Sequence, residues 1–108
     1  MSMYEKISQA DNSRDIELMG SLFADNFKFV RHASGMSLNR DQMLNMMREM
    51  EKHGGMQFNQ QRCIYENDDI LVIHSVNDYP DKTREAVIAV YTLQDGKITG
   101  LETGATPL

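Results

Sequence analysis

A single cysteine, Cys63, rules out an internal disulfide, and no second thiol stands near it to form a zinc or redox pair. Its neighbours Arg62-Cys63-Ile64-Tyr65 have strand character, so Cys63 is expected to be a small buried hydrophobe rather than a nucleophile. The chain also lacks any run near the roughly 18 apolar residues that cross a bilayer, and Met1-Ser2-Met3-Tyr4-Glu5-Lys6 has no apolar signal core. The expectation is a cytoplasmic protein that does not enter membranes. Positive charge is in short supply, with 11 basic residues against 16 acidic ones and no Lys/Arg block to neutralise a phosphate backbone, so nucleic acid is not an expected partner. No glycine-rich phosphate loop is present. His32, His53 and His74 are far apart in sequence, and no His-Glu pair has the helical spacing of metal ligands. Neither a cofactor nor a metal is expected.

What remains is an ordinary globular composition, 41% hydrophobic and 25% charged over 108 residues, enough for one domain spanning residues 1–108 and too little for two. Ser2 followed three residues later by Glu5 has capping-box spacing and predicts a first helix running to about Ala10. Asp11-Asn12-Ser13 offers turn and cap chemistry, and Ile16, Met19, Leu22 and Phe23 recur at helical spacing, predicting a second helix to about Ala24. From Asn26 the period changes to two, with Phe27, Phe29 and Arg31 alternating with Lys28, Val30 and His32, giving a short strand that ends at Ala33-Ser34-Gly35. Asn39 and Gln42 then mark a second capping box. In the third helix Met43, Met46, Met47 and Met50 form one face, a stripe suited to core packing or to an adaptable apolar pocket. Lys52-His53-Gly54-Gly55 closes it with cations and glycine.

The second half contains turns and strands only. Strands are predicted at 56–66, 70–79, 85–93 and 98–106, separated by Asn67-Asp68-Asp69, Pro80-Asp81-Lys82 and the hairpin signal Asp95-Gly96. On the third of these, Val87, Ala89 and Tyr91 alternate with Ile88, Val90 and Thr92, which makes both faces largely apolar. One face covers the helices, so the other is expected to meet a second subunit, a homodimer through the outer sheet face.

This order of elements resembles the nuclear transport factor 2-like (SnoaL-like) superfamily over nearly the whole chain. Leu22-Phe23-Ala24-Asp25-Asn26-Phe27-Lys28-Phe29 is similar to its helix-to-first-strand passage, and Tyr91-Thr92-Leu93-Gln94-Asp95-Gly96-Lys97-Ile98 to its final hairpin. The resemblance implies an α+β fold in which N-terminal helices pack in a strongly curved antiparallel sheet, a cone with a cavity at its open end. It also implies ligand chemistry in that cavity, in a group that includes ketosteroid isomerases, dehydratases and polyketide cyclases as well as a kinase association domain. Two isomerase features are missing, since no carboxylate stands near Arg31 and His32, and Ala89 or Val90 occupies the place of the second acid.

The candidates for the cavity follow from residue chemistry. Either Arg31 or His32 faces inward, with parity to Phe27 and Phe29 favouring Arg31 and a strand-end bulge favouring His32. Arg31 would bind an anionic group, and His32 could serve as acid or base. His74, in mid-strand among Val72, Ile73 and Val76, is either a hydrogen-bonded core histidine or a second acid-base group. Tyr91 can donate to a developing oxyanion, and Glu102 can accept a proton or sit exposed on the last strand. His32, His74 and Tyr91 are therefore the catalytic candidates, with Arg31, Glu102, Phe29 and Met47 contacting substrate. Three functions stay open: a lyase or isomerase moving a proton on a small hydrophobic molecule, a non-catalytic ligand-binding domain, and a homodimeric association module.

Overall fold

The computed structural model describes all 108 residues. In order it contains α1 (Met3–Ser13), α2 (Ile16–Leu22), β1 (Phe23–Arg31), β2 (Met36–Asn39), α3 (Arg40–Lys52), β3 (Gln57–Glu66), β4 (Ile70–Asp78), β5 (Arg84–Gln94) and β6 (Lys97–Pro107). The strands form one unclosed sheet ordered β2-β1-β6-β5-β4-β3. All neighbours are antiparallel except β1 and β6, which run parallel. This is the expected α+β arrangement, helices against a curved sheet, and no helix is long and apolar enough to cross a membrane.

Both predicted capping boxes form: Ser2 with Glu5 opens α1, and Asn39 with Gln42 opens α3. Because Asn39 accepts the Gln42 N–H at 2.9 Å while the Gln42 side chain takes the Asn39 N–H at 2.9 Å, Asn39→Ala orphans a helix-start donor. The expected loss is about 1 kcal/mol in urea unfolding; an unchanged midpoint would show that the cap contributes nothing.

Three element boundaries differ from expectation. Helix α1 continues past Ala10 to Ser13, where Ser13 Oγ donates back to the Gln9 carbonyl at 2.8 Å and Arg14 closes the helix in the left-handed conformation at φ 55°. Asp15, not the Asp11–Ser13 stretch, caps α2. Helix α2 ends at Leu22 because Phe23 is drawn into β1, pairing with Ile98 and stacking on Phe27 at 4.0 Å between ring centroids. The short edge strand β2 lay hidden between the Gly35 turn and the α3 cap, and it pairs with β1 from Lys28↔Asn39 to Arg31↔Met36. Cys63 is a further correction: it is exposed, because β3 is the other edge strand.

The core joins the helices to the sheet, and Ile7, Phe27, Leu71, Ile73 and Ile98 are its largest fully buried side chains. Helix α1 is fixed to the sheet at its start. Glu66, at the end of β3, accepts the N–H groups of Met3 at 2.9 Å and Tyr4 at 3.2 Å, a carboxylate placed against the positive end of the helix. That anchor sets the direction of α1 and hence where its last turn lands.

Candidate functional site

Strand alternation decides which side chains reach the interior. On β4 burial alternates residue by residue, so Leu71, Ile73, Ser75 and Asn77 face inward while Val72, His74 and Val76 face out. On β5 the inward set is Glu85, Val87, Ala89 and Tyr91. On β6 the parity is broken by an extra residue: Leu93 pairs with Ile98 but Thr92 with Gly100, leaving Thr99 as a bulge. Beyond the bulge Leu101 and Thr103 face inward, and Glu102 faces out. On β1, Phe27, Phe29 and Arg31 share the inner face without a bulge between Lys28 and Arg31.

These faces and the helices enclose an open cavity of about 800 Å³. Its apolar wall includes Phe23, Phe29 and Leu101, opposite the α3 stripe Met43, Met46, Met47 and Met50. Exposed Asp81 and Thr83 in the β4–β5 turn and Glu49 and His53 at the end of α3 also border it, and they mark its mouth. From Glu85 to Tyr91 along β5 is six residues, roughly 20 Å of strand, so the two polar groups of the cavity are well separated.

The outer group is an ion pair. Arg31 donates to Glu85 at 3.0 Å, and Tyr79 donates its hydroxyl to the other Glu85 oxygen at 2.7 Å. The guanidinium and the phenol hold the Glu85 carboxyl below its ordinary value against the opposing effect of burial. Tyr79, half-buried and bonded to that carboxylate, is pushed up to about 12. Ser75 donates to Asn77 at 2.8 Å nearby on β4.

The inner group is Asp11, Gln61 and Tyr91. Asp11 extends the Met3, Ile7, Ala10 face of α1, which points it into the cavity beside the C-terminal turn of its helix. A bulge in β3 between Asn59 and Arg62, with Gln60 at φ 52°, turns Gln61 toward the helices, where its amide reaches Asp11 at 3.4 Å. Burial raises the Asp11 pKa from 3.8 to about 6, outweighing the Gln61 bond and the more distant charge of Arg14. Arg14 itself is committed to Glu51 at 3.1 Å and to the Met56 carbonyl at 3.0 Å. Tyr91 is raised well above the ordinary phenol range, first by burial and then by the Asp11 charge. It therefore stays a hydroxyl, while Asp11 changes charge close to neutral pH.

The expected site residues thus divide. Arg31, Phe29, Met47 and Tyr91 line the cavity. His32 and Glu102 do not: both are exposed on the outer side of the sheet, where the His32 ring is in hydrogen-bond contact with the Glu102 carboxylate. The strand-end bulge that would have turned His32 inward is absent, and the β6 bulge turns Glu102 outward. His74 also faces out, flanked by Arg62 and Ile88 in the sheet register. Arg31 enters as expected, but its charge is already matched by Glu85. Asp11, Gln61, Glu85 and Thr103 are further polar residues of the lining. Their signals are the periods themselves, the α1 face carried one step beyond Ile7 and the Val87-Ala89-Tyr91 parity carried back to Glu85.

A model of the SnoaL-like domain matches residues 4–101. The chain belongs to the SnoaL-like family. Among solved structures, it is similar to a nuclear transport factor 2-like protein of unknown function from Cytophaga hutchinsonii ATCC 33406, with TM-score 0.79 and 15% identity over 95% of this chain and 86% of that one. It is similar to IdmH of Streptomyces antibioticus, proposed to be a polyketide cyclase, with TM-score 0.73 and 15% identity over 94% and 88%. A third structure, from Kribbella flavida DSM 17836 and proposed to be a ketosteroid isomerase, gives TM-score 0.74 and 13% identity over 95% and 74%. No curated protein matches in sequence. At these identities the likeness establishes the SnoaL-like fold and leaves the chemistry to the cavity.

Proposed function

We propose that this SnoaL-like domain binds a small, largely apolar organic molecule in its cavity and moves a proton within it, as an isomerase, lyase or cyclase does. The observation that carries this reading is Asp11: a half-buried carboxylate in a largely apolar cavity, without a cation in hydrogen-bonding contact, whose pKa is raised to about 6. A carboxylate with that property is a proton acceptor matched to neutral pH. Tyr91, held protonated, supplies a donor for the oxygen on which charge develops. Gln61 orients Asp11, and the methionine stripe gives an adaptable apolar wall. The cavity volume suits a ligand of this kind, since such sites span roughly 300–1,000 Å³.

The test is carbon-bound hydrogen exchange. A panel of cyclic ketones and phenols in D₂O is incubated with the protein, and deuterium incorporation is followed by mass spectrometry. The proposal expects accelerated exchange for at least one compound, abolished in Asp11→Asn. Exchange no faster with the protein than without it would leave a ligand-binding role without catalysis, and equal acceleration by both proteins would remove Asp11 as the proton acceptor.

The convex face supports association as a property of the same domain. Val72, Val76, Ile88 and Val90 form an apolar field on β4 and β5, and Ile88 is 41% exposed. His74 stands between Val72 and Val76 and pairs with Ile88, and the outward positions of β4 and β5 around it carry no Lys, Arg, Asp or Glu, so such a face is matched best by a second copy of itself. Ile88→Glu is expected to convert a dimer into a monomer in sedimentation at micromolar concentration, with the circular dichroism unchanged. A wild-type chain that sediments as a monomer at that concentration would refute the dimer.

A further inference from the structure

One fully buried polar atom of the cavity wall has no hydrogen-bond partner. Thr103 is only 8% exposed, lines the cavity from β6, and its Oγ1 is buried without a hydrogen bond. Its inner-face neighbours in the sheet register are Ala89 on β5 and Arg31 on β1. Alanine offers no hydrogen-bonding atom, and the Arg31 guanidinium is turned to Glu85 at 3.0 Å. A buried hydroxyl left unmatched is costly, and each such group in a native fold calls for a reason. Tyr91 pairs with Leu101, which places it diagonal to Thr103 on the same inner face, within the roughly 7–8 Å of a diagonal cross-strand pair.

We infer that Thr103 is a specificity residue for the ligand: its hydroxyl bonds a neutral oxygen of the bound molecule, and the cavity selects uncharged oxygenated compounds over their carboxylate counterparts. The inference rests on the ligand-binding reading above and narrows its substrate class. Charge selection follows from the ion pairs. Both arginines that line the cavity are already matched, Arg31 by Glu85 and Arg14 by Glu51, so an incoming carboxylate finds no free cation and meets the Asp11 charge instead. A neutral hydroxyl or carbonyl meets Thr103 with no such penalty. The apolar body of the ligand then lies against Phe29, Leu101 and the methionines of α3.

The test uses three probes of one shape, naphthalene, 2-naphthol and 2-naphthoate, titrated at pH 7.5 into the full chain and followed by NMR. Wild type is expected to bind 2-naphthol about tenfold more tightly than 2-naphthoate. Thr103→Val, which keeps the shape and deletes the hydroxyl, should weaken 2-naphthol about fivefold and leave naphthalene unchanged, whereas Thr103→Ser should keep the wild-type order. Thermal unfolding adds an independent readout: removing an unmatched buried hydroxyl should raise the Tm of Thr103→Val by about 4 °C. A fall in Tm would mean that the hydroxyl has a structural partner, and the inference fails. If 2-naphthol binds equally to wild type and Thr103→Val, or 2-naphthoate binds best, the inference fails while the ligand-binding cavity stands. If none of the three binds wild type, both fail together.

Discussion

Asp11→Asn is expected to lower catalysed proton exchange by about 10²–10⁴-fold, the range a positioned general base contributes, while leaving ligand binding within a few-fold of wild type. The substitution keeps the size of the side chain and its contact with Gln61 but removes the proton acceptor. In wild type the rate should rise with pH through about 6, the Asp11 value, and level off above it. Asn should abolish that rise along with the activity. A variant with full activity, or a wild-type profile flat between pH 5 and 7, would remove Asp11 from the mechanism.

The same substitution should stabilise the fold. Asp11 has a folded pKa of about 6 against 3.8 for the free carboxyl, so between these values the folded state holds more protons than the unfolded one. Stability contributed through Asp11 therefore falls as pH rises from about 4 to about 6, and at neutral pH its ionised form is a cost. That displacement sets a ceiling of about 3 kcal/mol, reduced by solvent entering through the open mouth. Urea unfolding of wild type and Asp11→Asn at pH 4 and pH 7.5 isolates the effect: the variant gains at the higher pH and little at the lower. A gain of stability paired with a loss of activity is the mark of a group kept for function.

The second large effect concerns Arg31. The Arg31 and Glu85 side chains are 24% and 12% exposed, so deleting the guanidinium strands a carboxylate in a poorly hydrated place. Arg31→Leu is expected to cost about 2–3 kcal/mol, somewhat less than a fully buried pair because Tyr79 still donates to Glu85. Replacing both residues by leucine should recover most of that loss, since a matched apolar pair avoids the unpaired charge. The coupling energy from the full double-mutant cycle measures the pair directly. Equal losses in the single and double variants would mean that Arg31 is not committed to Glu85 and is free for an anionic ligand. The pH dependence has the opposite sign to that of Asp11. Because Glu85 lies below its ordinary value in the fold, the stabilisation from the pair is complete above about 4.5 and is lost as pH falls through the lowered value.

Local rules made much of the architecture legible. The capping boxes at Ser2 and Asn39, the glycines after α3 and the Asp95-Gly96 turn, where both residues adopt positive φ, each act within a few residues, and all appear as expected. The site was harder because it depends on parity over whole strands. One extra residue at Thr99 reverses every position after it on β6, so Glu102 leaves the cavity and Thr103 enters it. Asp11 was concealed by its own chemistry, because Asp-Asn-Ser suggests a turn while tertiary contacts to Gln61 hold it in the helix. His32 and His74 drew attention by residue type, yet the two-residue period sends His74 outward and leaves His32 beyond the last inward position of β1. The short strand β2 carries only four residues, too few for a period to show, and exists because β1 offers it an edge.

The proposed role of Asp11, a half-buried proton acceptor poised near neutral pH, can be read from a carbon-13 NMR titration of its carboxyl carbon. A midpoint near 6, absent from the spectrum of Asp11→Asn and displaced when a ligand fills the cavity, is the predicted result. A midpoint near 4, unmoved by any ligand, would identify Asp11 as a solvated carboxylate with no part in proton transfer.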